Sequence, residues 1–304
     1  MKEIQEITDK IAIFKDGRYM GTYGTHEISE EELIRKMVGR NLGDVYSSLD
    51  RSKEIGDVLL EVRDLKTDYV KGVSFTLHKG EVLGFSGLVG AGRTETMRGI
   101  IGADRMTGGE IFLEGKKIVS HSPSDAMENG IVLVPEDRKT QGILANLGVG
   151  ENITIGSLKH NASKLGILNR KKEQAMEKKG ISDFKIKTPN AEKKIVELSG
   201  GNQQKAIVAR WMATNPKVLI LDEPTKGIDI GAKSEFYNMI CQFAKEGLGV
   251  ILISSELPEV MGLSDRIIVM KGRKIAGEIM RDQATEENLL SLAMIGGETD
   301  GKEE

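Results

Sequence analysis

Two kinds of hydrophobic pattern in the chain predict strands. Residues 59–65 and 73–77 alternate between apolar and polar side chains, as exposed strands do, and residues 111–113 continue as a hairpin through Glu114 and Gly115. These segments predict a small antiparallel sheet. Residues 218–221 are continuously apolar instead, which is typical of a parallel strand that is covered on both faces.

Helical patterns occupy the region between these strands. Residues 143–198 show no strong strand pattern, and segments 153–158, 171–179 and 181–184 predict helices or turns rich in lysine. We interpret the paired lysines at 171–172 and 178–179 as a solvated face rather than a binding patch. A further helix is predicted to begin after Ser199, Gly200 and Gly201 and to run through Trp211.

The first forty residues repeat the plan of the last forty. Counted from Glu3 and from Glu259, the two segments match as follows: Asp9-Lys10-Ile11 with Asp265-Arg266-Ile267, Gly17-Arg18 with Gly272-Arg273, and Glu30-Glu31 with Glu286-Glu287. Such repetition indicates a duplicated unit. Here one copy is nearly whole and the other is a tail, so we expect a fragment of a protein of about 500 residues. The polar stretch 41–57 between them predicts a linker.

Composition excludes several classes of protein. The 304 residues carry a net charge of −3 and have a pI near 6.0, which gives no electrostatic footprint for nucleic acid. Cys241 is the one cysteine, so no disulfide framework exists, and its apolar setting predicts a buried thiol. No apolar run is long enough for a spanning helix, and no export signal is recognisable. We therefore expect a soluble cytoplasmic protein.

A glycine-rich loop follows the strand predicted after Gly80. Its sequence, GLVGAGRT from Gly87 to Thr94, fits the phosphate-binding pattern GxxxxGK[ST] at every position except Arg93. Glycines let consecutive backbone N–H groups face phosphate oxygens, and the Thr94 hydroxyl is a ligand suited to Mg²⁺. Arg93 keeps the positive charge of the usual lysine but is broad and planar, so binding is expected to survive while phosphoryl transfer slows.

Two further elements lie downstream. The strand at 218–221 delivers Asp222 and Glu223 to its carboxyl edge, where ligands sit in open α/β sheets. Asp222 is predicted to hold Mg²⁺ through water and Glu223 to orient the attacking water. The helix that starts at Ser199, Gly200 and Gly201 predicts an anion site. Each element alone could be an ordinary glycine-rich turn or strand end. In this order and spacing they indicate a nucleotide-driven motor.

Residues 58 to 297 resemble the second ATP-binding domain of bacterial monosaccharide importers, the ribose, galactose and xylose type of ABC transporter. The residues that carry this resemblance are GLVGAGRTE at 87–95, PEDRKTQG at 135–142, LSGGNQQK at 198–205, LILDEPTKGIDIGAK at 219–233 and ISSELPEV at 253–260. Arginine in the phosphate loop is also what the resemblance implies for a second domain.

The resemblance implies an α/β fold of the P-loop NTPase class, ABC type: a mainly parallel core sheet with an antiparallel β subdomain and a helical subdomain at about 143–198. It divides the chain into a C-terminal remnant of a first ABC domain (1–44), a linker (45–57), a second ABC domain (58–300) and a tail (301–304). It assigns ATP to the following residues: Gly87, Gly90, Ala91, Gly92, Arg93, Thr94, Glu95, Ser199, Gly200, Gly201 and Gln203. Thr94 and Asp222 are expected to hold Mg²⁺, and Glu223 is expected to be catalytic.

The partners that the resemblance implies are a first ABC domain or a second copy of the chain, membrane permease subunits and, indirectly, a sugar-binding protein. Two such domains meet head to tail, so the phosphate loop and the Ser199 helix serve different composite sites. The protein would then work peripherally at the cytoplasmic face of the membrane. Tyr69 lies where an aromatic ring could stack on adenine, and a strand-edge tyrosine is an equal alternative.

Two departures from the family pattern favour an alternative function. Ser255 and Glu256 stand where most hydrolysing ABC domains have a histidine, and Pro135, Glu136 and Asp137 occupy the region of a glutamine that senses the γ-phosphate. A nucleotide-sensing subunit that binds ATP without hydrolysing it is an alternative, which Arg93 and Ser255 support and Glu223 opposes. A soluble ABC protein of translation or DNA repair is disfavoured by the acidic balance and the absence of a basic insertion.

Overall fold

The computed structural model describes residues 7–15, 18–28, 46–51, 54–163 and 166–295. The predicted equivalences of Gly17, Glu30 and Glu31 lie outside these ranges, and so does the predicted tail. Strands are numbered β1 to β12 and helices α1 to α9 in chain order.

A six-stranded sheet forms the centre of the fold, in the order β12-β11-β5-β10-β9-β8. All neighbouring strands in it run parallel except β12, which is antiparallel to β11. Its strands are β5 Val82–Gly87, β8 Ile131–Val134, β9 Val218–Asp222, β10 Gly249–Ile253, β11 Arg266–Lys271 and β12 Lys274–Met280. Every residue of β9 and β10 is buried, as the continuous apolar runs predict.

Helices cover this sheet and extend into the lysine-rich region. They are α1 Arg93–Ile100, α2 Pro123–Asn129, α3 Val149–Thr154, α4 Leu158–Asn161, α5 Arg170–Asp183, α6 Gly200–Met212, α7 Ile230–Lys245, α8 Leu257–Leu263 and α9 Glu286–Met294. The helix predicted after Ser199 is confirmed as α6, and the one predicted at 171–179 as α5. In the ranges that the structure covers, none of the helices is both long and apolar enough to cross a membrane.

A four-stranded antiparallel sheet, in the order β4-β3-β6-β7, confirms the predicted small sheet. Its strands are β3 Val58–Lys66, β4 Lys71–His78, β6 Gly108–Leu113 and β7 Lys116–Ile118. The prediction that its first two strands are exposed is wrong for one face, because Leu60, Leu65 and Leu77 are fully buried. They share one apolar core with residues of β5 and α1, so the sheet packs on the phosphate-loop helix.

A buried arginine organises the helical region. Arg210 of α6 donates from Nη1 to the Gly142 carbonyl at 2.7 Å, and from Nε and Nη2 to the carbonyl and side-chain oxygens of Asn152 at 2.6 and 2.8 Å. Burial lowers the pKa of Arg210 to about 10. Because both partners are themselves buried, this network joins α6, α3 and the segment before α3 into one unit.

The N-terminal hairpin duplicates the last hairpin of the central sheet in register. β1 Lys10–Lys15 pairs with β2 Arg18–Gly24, and every partner pair recurs 256 positions later between β11 and β12, including the irregularity after Ile13 and after Val269. The backbone bond from Thr25 to Asp9 recurs as the bond from Arg281 to Asp265. This register corrects one predicted equivalence: Arg18 matches Lys274 and not Arg273.

Residues 46–51 of the predicted linker are attached to the core. The Tyr46 ring stacks on Tyr237 with centroids 5.4 Å apart, and Arg51 donates to the Leu263 carbonyl at 2.9 Å. Gly262 makes room for this contact, because a β-carbon there would lie 2.3 Å from the Tyr46 ring. This part of the linker is therefore a packed strap over α7 and α8.

Candidate functional site

The predicted phosphate loop connects β5 to α1. Gly90 and Gly92 have φ angles of +78° and +103°, which L side chains rarely adopt. Gly87 is needed for space as well, since a β-carbon there would lie 2.4 Å from the Met270 carbonyl oxygen. The Ala91 carbonyl accepts a bond from the Arg273 amide at 2.9 Å, which fixes the loop to the turn between β11 and β12. The first turn of α1 then presents N–H groups that have no partners within the helix.

Sheet topology brings the two distant motifs together. β10 lies between β5 and β9, and all three strands run parallel, so the phosphate loop and Asp222 meet at one carboxyl edge. The Thr94 hydroxyl interacts with the Asp222 carboxyl group, and this contact lowers the pKa of Asp222. Burial has the larger and opposite effect, and with the nearby carboxylates of Glu136 and Glu223 it raises that pKa to about 6.

The oxygens at this edge fit a magnesium ion. Asp222 is 1% exposed, and its Oδ1 is buried without a hydrogen-bond partner, so one lone-pair-bearing oxygen is available beside the Thr94 hydroxyl. Among the described residues no group of three or more His, Cys, Asp or Glu side chains is arranged to hold a metal. A carboxylate and a hydroxyl suit Mg²⁺ that completes its octahedron with water and phosphate oxygens.

Glu223 is held in an uncommon backbone conformation. Its φ angle is +46°, and its amide donates to the Ile253 carbonyl at 2.9 Å. The Ser255 hydroxyl donates to its Oε2 at 3.0 Å. The carboxylate is therefore oriented by the residue that stands in place of the family histidine.

Arg93 reaches across the end of β10. Its Nη1 donates to the Ser254 carbonyl at 2.9 Å, and its Nη2 lies 3.8 Å from Oε1 of Glu223. Only 11% of the Arg93 side chain is exposed. The guanidinium thus lies between the phosphate loop and Glu223. The compact ammonium of a lysine at this position would not offer the same two separated nitrogen atoms.

The start of α6 faces a different set of neighbours. Ser199 is exposed, and its hydroxyl accepts a hydrogen bond from the side-chain nitrogen Nδ2 of Asn202 at 2.9 Å. A β-carbon on Gly201 would lie 2.8 Å from the Ala232 β-carbon, so this glycine allows α6 to pack on the first turn of α7. Ser199 is therefore the residue of this helix start that is exposed on the surface.

Gln203 is bonded to the segment that precedes Ser199. Its side chain is buried and donates from Nε2 to the carbonyls of Ile195 and Leu198 at 3.2 and 3.1 Å. These bonds fix the turn before Ser199. The predicted contact of Gln203 with nucleotide stays a prediction.

Sequence reasoning left the role of Glu136 open. This residue follows β8, next to β9 in the sheet, and its negative charge raises the pKa of Asp222. Its Oε1 also accepts a bond from Lys226 Nζ at 2.6 Å. Position at the end of a core strand was the signal that could have identified it.

Tyr69 is half exposed, and its predicted contact with adenine stays a prediction.

Comparison with known proteins places these features in context. A family model described as ABC transporter matches residues 70–226. Similar curated relatives include the arabinose import ATP-binding protein AraG of Mannheimia succiniciproducens, 49% identical, and the arabinose import ATP-binding protein AraG 1 of Burkholderia thailandensis, 50% identical. These matches cover 97% and 98% of this chain, and the chain spans 59% of the length of each relative.

Solved structures show the same fold. The structure of MJ1267 in its ADP conformation, an ATP-binding cassette of an ABC transporter, superposes with a TM-score of 0.64 at 25% identity. The match covers 78% of this chain and 95% of that chain. A nucleotide-free ATP-binding cassette from an ABC transporter matches with the same TM-score at 26% identity.

Proposed function

Because the chain belongs to the ABC transporter family of ATP-binding cassettes, we propose that it binds ATP with Mg²⁺ and couples ATP binding and hydrolysis to monosaccharide import through a membrane permease. The similarity to arabinose import ATP-binding proteins supports arabinose as the sugar. The observation that carries the proposal is the meeting of the phosphate loop with Asp222 at one sheet edge, where Oδ1 of this buried carboxyl group has no hydrogen-bond partner and Thr94 lies near enough to affect its pKa.

In this proposal the loop residues bind the phosphates of ATP. The backbone from Gly87 to Glu95, including Gly90, Ala91 and Gly92, surrounds them, and Arg93 supplies the positive charge. Thr94 and Asp222 hold Mg²⁺, which neutralises charge on the β- and γ-phosphates. Glu223 orients the attacking water, with its carboxylate fixed by Ser255.

Ser199, Gly200 and Gly201 complete the composite site of a partner domain. The partner is a first ABC domain or a second copy of the chain, and the assembly docks on permease subunits at the cytoplasmic face of the membrane. A sugar-binding protein contributes indirectly. Residues 1–44 are assigned to the end of a preceding cassette, 45–57 to a linker and 58–300 to the second cassette; the duplicated hairpin register supports this division.

A specific observation favours the alternative of a nucleotide sensor that does not hydrolyse ATP. Arg93 is bonded to the Ser254 carbonyl and lies next to Glu223, so it must exchange these contacts before it can stabilise charge on a transferring phosphoryl group. If Arg93 exchanges these contacts only in the transition state, the cost lowers the rate of hydrolysis and leaves the affinity for ATP unchanged.

Calorimetric titration of Mg-ATP followed by phosphate release from the same sample tests both readings. We expect micromolar to millimolar binding that is lost in T94A and kept in E223Q, with T107A as a matched control on the exposed surface. Phosphate release that disappears in E223Q supports the hydrolysing cassette. Binding without release, also after addition of a complete first domain, supports the sensor, and no binding refutes both.

A further inference from the structure

The proposed nucleotide site gives no role to most residues of the segment 135–142, PEDRKTQG. After β8 the chain forms a tight π-helical turn over Arg138–Gly142. The Asp137 side chain begins this turn by accepting bonds from the Lys139 and Thr140 amides at 3.0 and 3.2 Å. The Thr140 side chain, together with these backbone bonds, holds the pKa of Asp137 below its usual value. The bonds also fix the direction in which Arg138 leaves the backbone.

Arg138 reaches the loop that follows Glu223. Its Nη1 donates to the Lys226 carbonyl at 2.7 Å and its Nη2 to the Gly227 carbonyl at 3.0 Å. Gly227 has a φ angle of +66°, which turns these neighbouring carbonyls into reach of one planar guanidinium. Lysine, with a single ammonium group, cannot reproduce this two-point contact.

The same guanidinium lies against the start of α6. A β-carbon on Gly200 would lie 2.6 Å from Arg138 Nη2 and 3.0 Å from the Gly227 carbonyl oxygen. Glycine at position 200 is therefore required for this three-way contact. The π-helical turn, the loop after Glu223 and the first turn of α6 meet at one side chain.

The far end of the turn is attached to the same helix. The Gly142 carbonyl accepts the bond from Arg210 near the end of α6, and Ile207 packs so closely that a β-carbon on Gly142 would lie 2.7 Å from its Cδ1. The turn thus contacts α6 at both its beginning and its end. A rigid connector of this kind transmits displacement rather than absorbing it.

We propose that Arg138 is a positioning residue that makes the loop after Glu223 and the Ser199–Gly201 helix start move together. This proposal rests on the proposed function, because nucleotide bound at the phosphate loop would shift the loop after Glu223 first. Arg138 then carries that shift to the helix start which completes the partner's site. The contact lies within one chain, so it operates before any partner is present.

Hydrogen exchange measured by mass spectrometry on the full chain tests this. Without nucleotide, R138A is expected to speed exchange about tenfold in peptides that cover 226–229 and 199–203 together, with a smaller effect in R138K. K226A is the matched control. It removes the side chain that pairs with Glu136 but keeps the backbone carbonyl that Arg138 binds, so exchange at 199–203 should stay as in the wild type.

Addition of Mg-ATP provides the second arm. In the wild type we expect slower exchange at 87–95, at 223–229 and at 199–203; in R138A the first two responses persist and the third disappears. A response at 199–203 that survives in R138A overturns the proposal. So does loss of the response at 87–95 in R138A, because Arg138 would then act on binding itself. If Mg-ATP changes nothing in the wild type, the proposed function fails, while the nucleotide-free arm still decides whether Arg138 joins the two segments.

Discussion

The charge on Asp222 is expected to destabilise the nucleotide-free chain at neutral pH. The side chain is 1% exposed, and burial raises its pKa from 3.8 to about 6. The folded state therefore binds a proton more tightly than the unfolded state, and stability falls as pH rises through this interval. The difference in pKa corresponds to about 3 kcal/mol at pH 7.5, at 1.36 kcal/mol per pKa unit.

The substitution D222N removes this charge and nearly keeps the shape. We expect it to raise the free energy of unfolding by up to about 3 kcal/mol at pH 7.5, by roughly half of that at pH 5 and by a small fraction of it at pH 4, because the wild-type carboxyl becomes protonated in the folded state as pH falls. Urea unfolding followed by the fluorescence of Trp211, the single tryptophan, measures the change.

The control is D57N, which alters a carboxylate on the exposed surface and should give a small change at each pH. A D222N gain that is absent at pH 7.5, or equally large at pH 4, would refute the reasoning. With Mg-ATP present the order should reverse, since the wild type gains stability from Mg²⁺ at Asp222 and D222N loses most of that gain.

Three further substitutions or reagents test other parts of the fold. R210A should cost about 3 kcal/mol in urea unfolding, because it removes the Arg210 donors from the buried carbonyls of Gly142 and Asn152 and leaves Asn152 Oδ1 with only its bond from the Leu144 amide. G262A should displace the strap at 46–51 from Tyr237 and speed proteolysis there, whereas G108A, whose β-carbon has room, should not. Burial raises the pKa of Cys241, so a thiol reagent should label the native chain at least about 100-fold more slowly than the chain in urea; equal rates would contradict the buried position.

Local patterns predicted most of the elements that build the site. The apolar run before Asp222, the glycine loop before Thr94 and the helix after Ser199 each follow from a few neighbouring residues, and the structure contains all three. Parallel topology then explains why the first two meet. The motif at 135–142 was visible as a pattern, although its contacts were not.

Contacts between distant segments escaped prediction. Tyr46 packs on Tyr237 across 191 positions, and no local pattern distinguishes such a strap from a loose linker. Gln203 follows the predicted anion site closely in sequence, which suggested a contact with nucleotide. In the structure its side chain donates to backbone carbonyls of the turn before Ser199. In both cases the partner was set by packing and hydrogen-bond satisfaction, which the sequence order does not reveal.

The chain contains two hairpins with the same pairing register, β1–β2 and β11–β12, and the second of them occupies one side of the central sheet. β11 lies beside β5 in that sheet, and Arg266 donates from Nε at 2.8 Å to Glu81, which is 1% exposed. The equivalent residue of β1 is Lys10, which lacks the planar group that engages both carboxylate oxygens. The two-point contact of Arg266 with buried Glu81 therefore favours the arginine-bearing hairpin over the lysine-bearing one in the place beside β5.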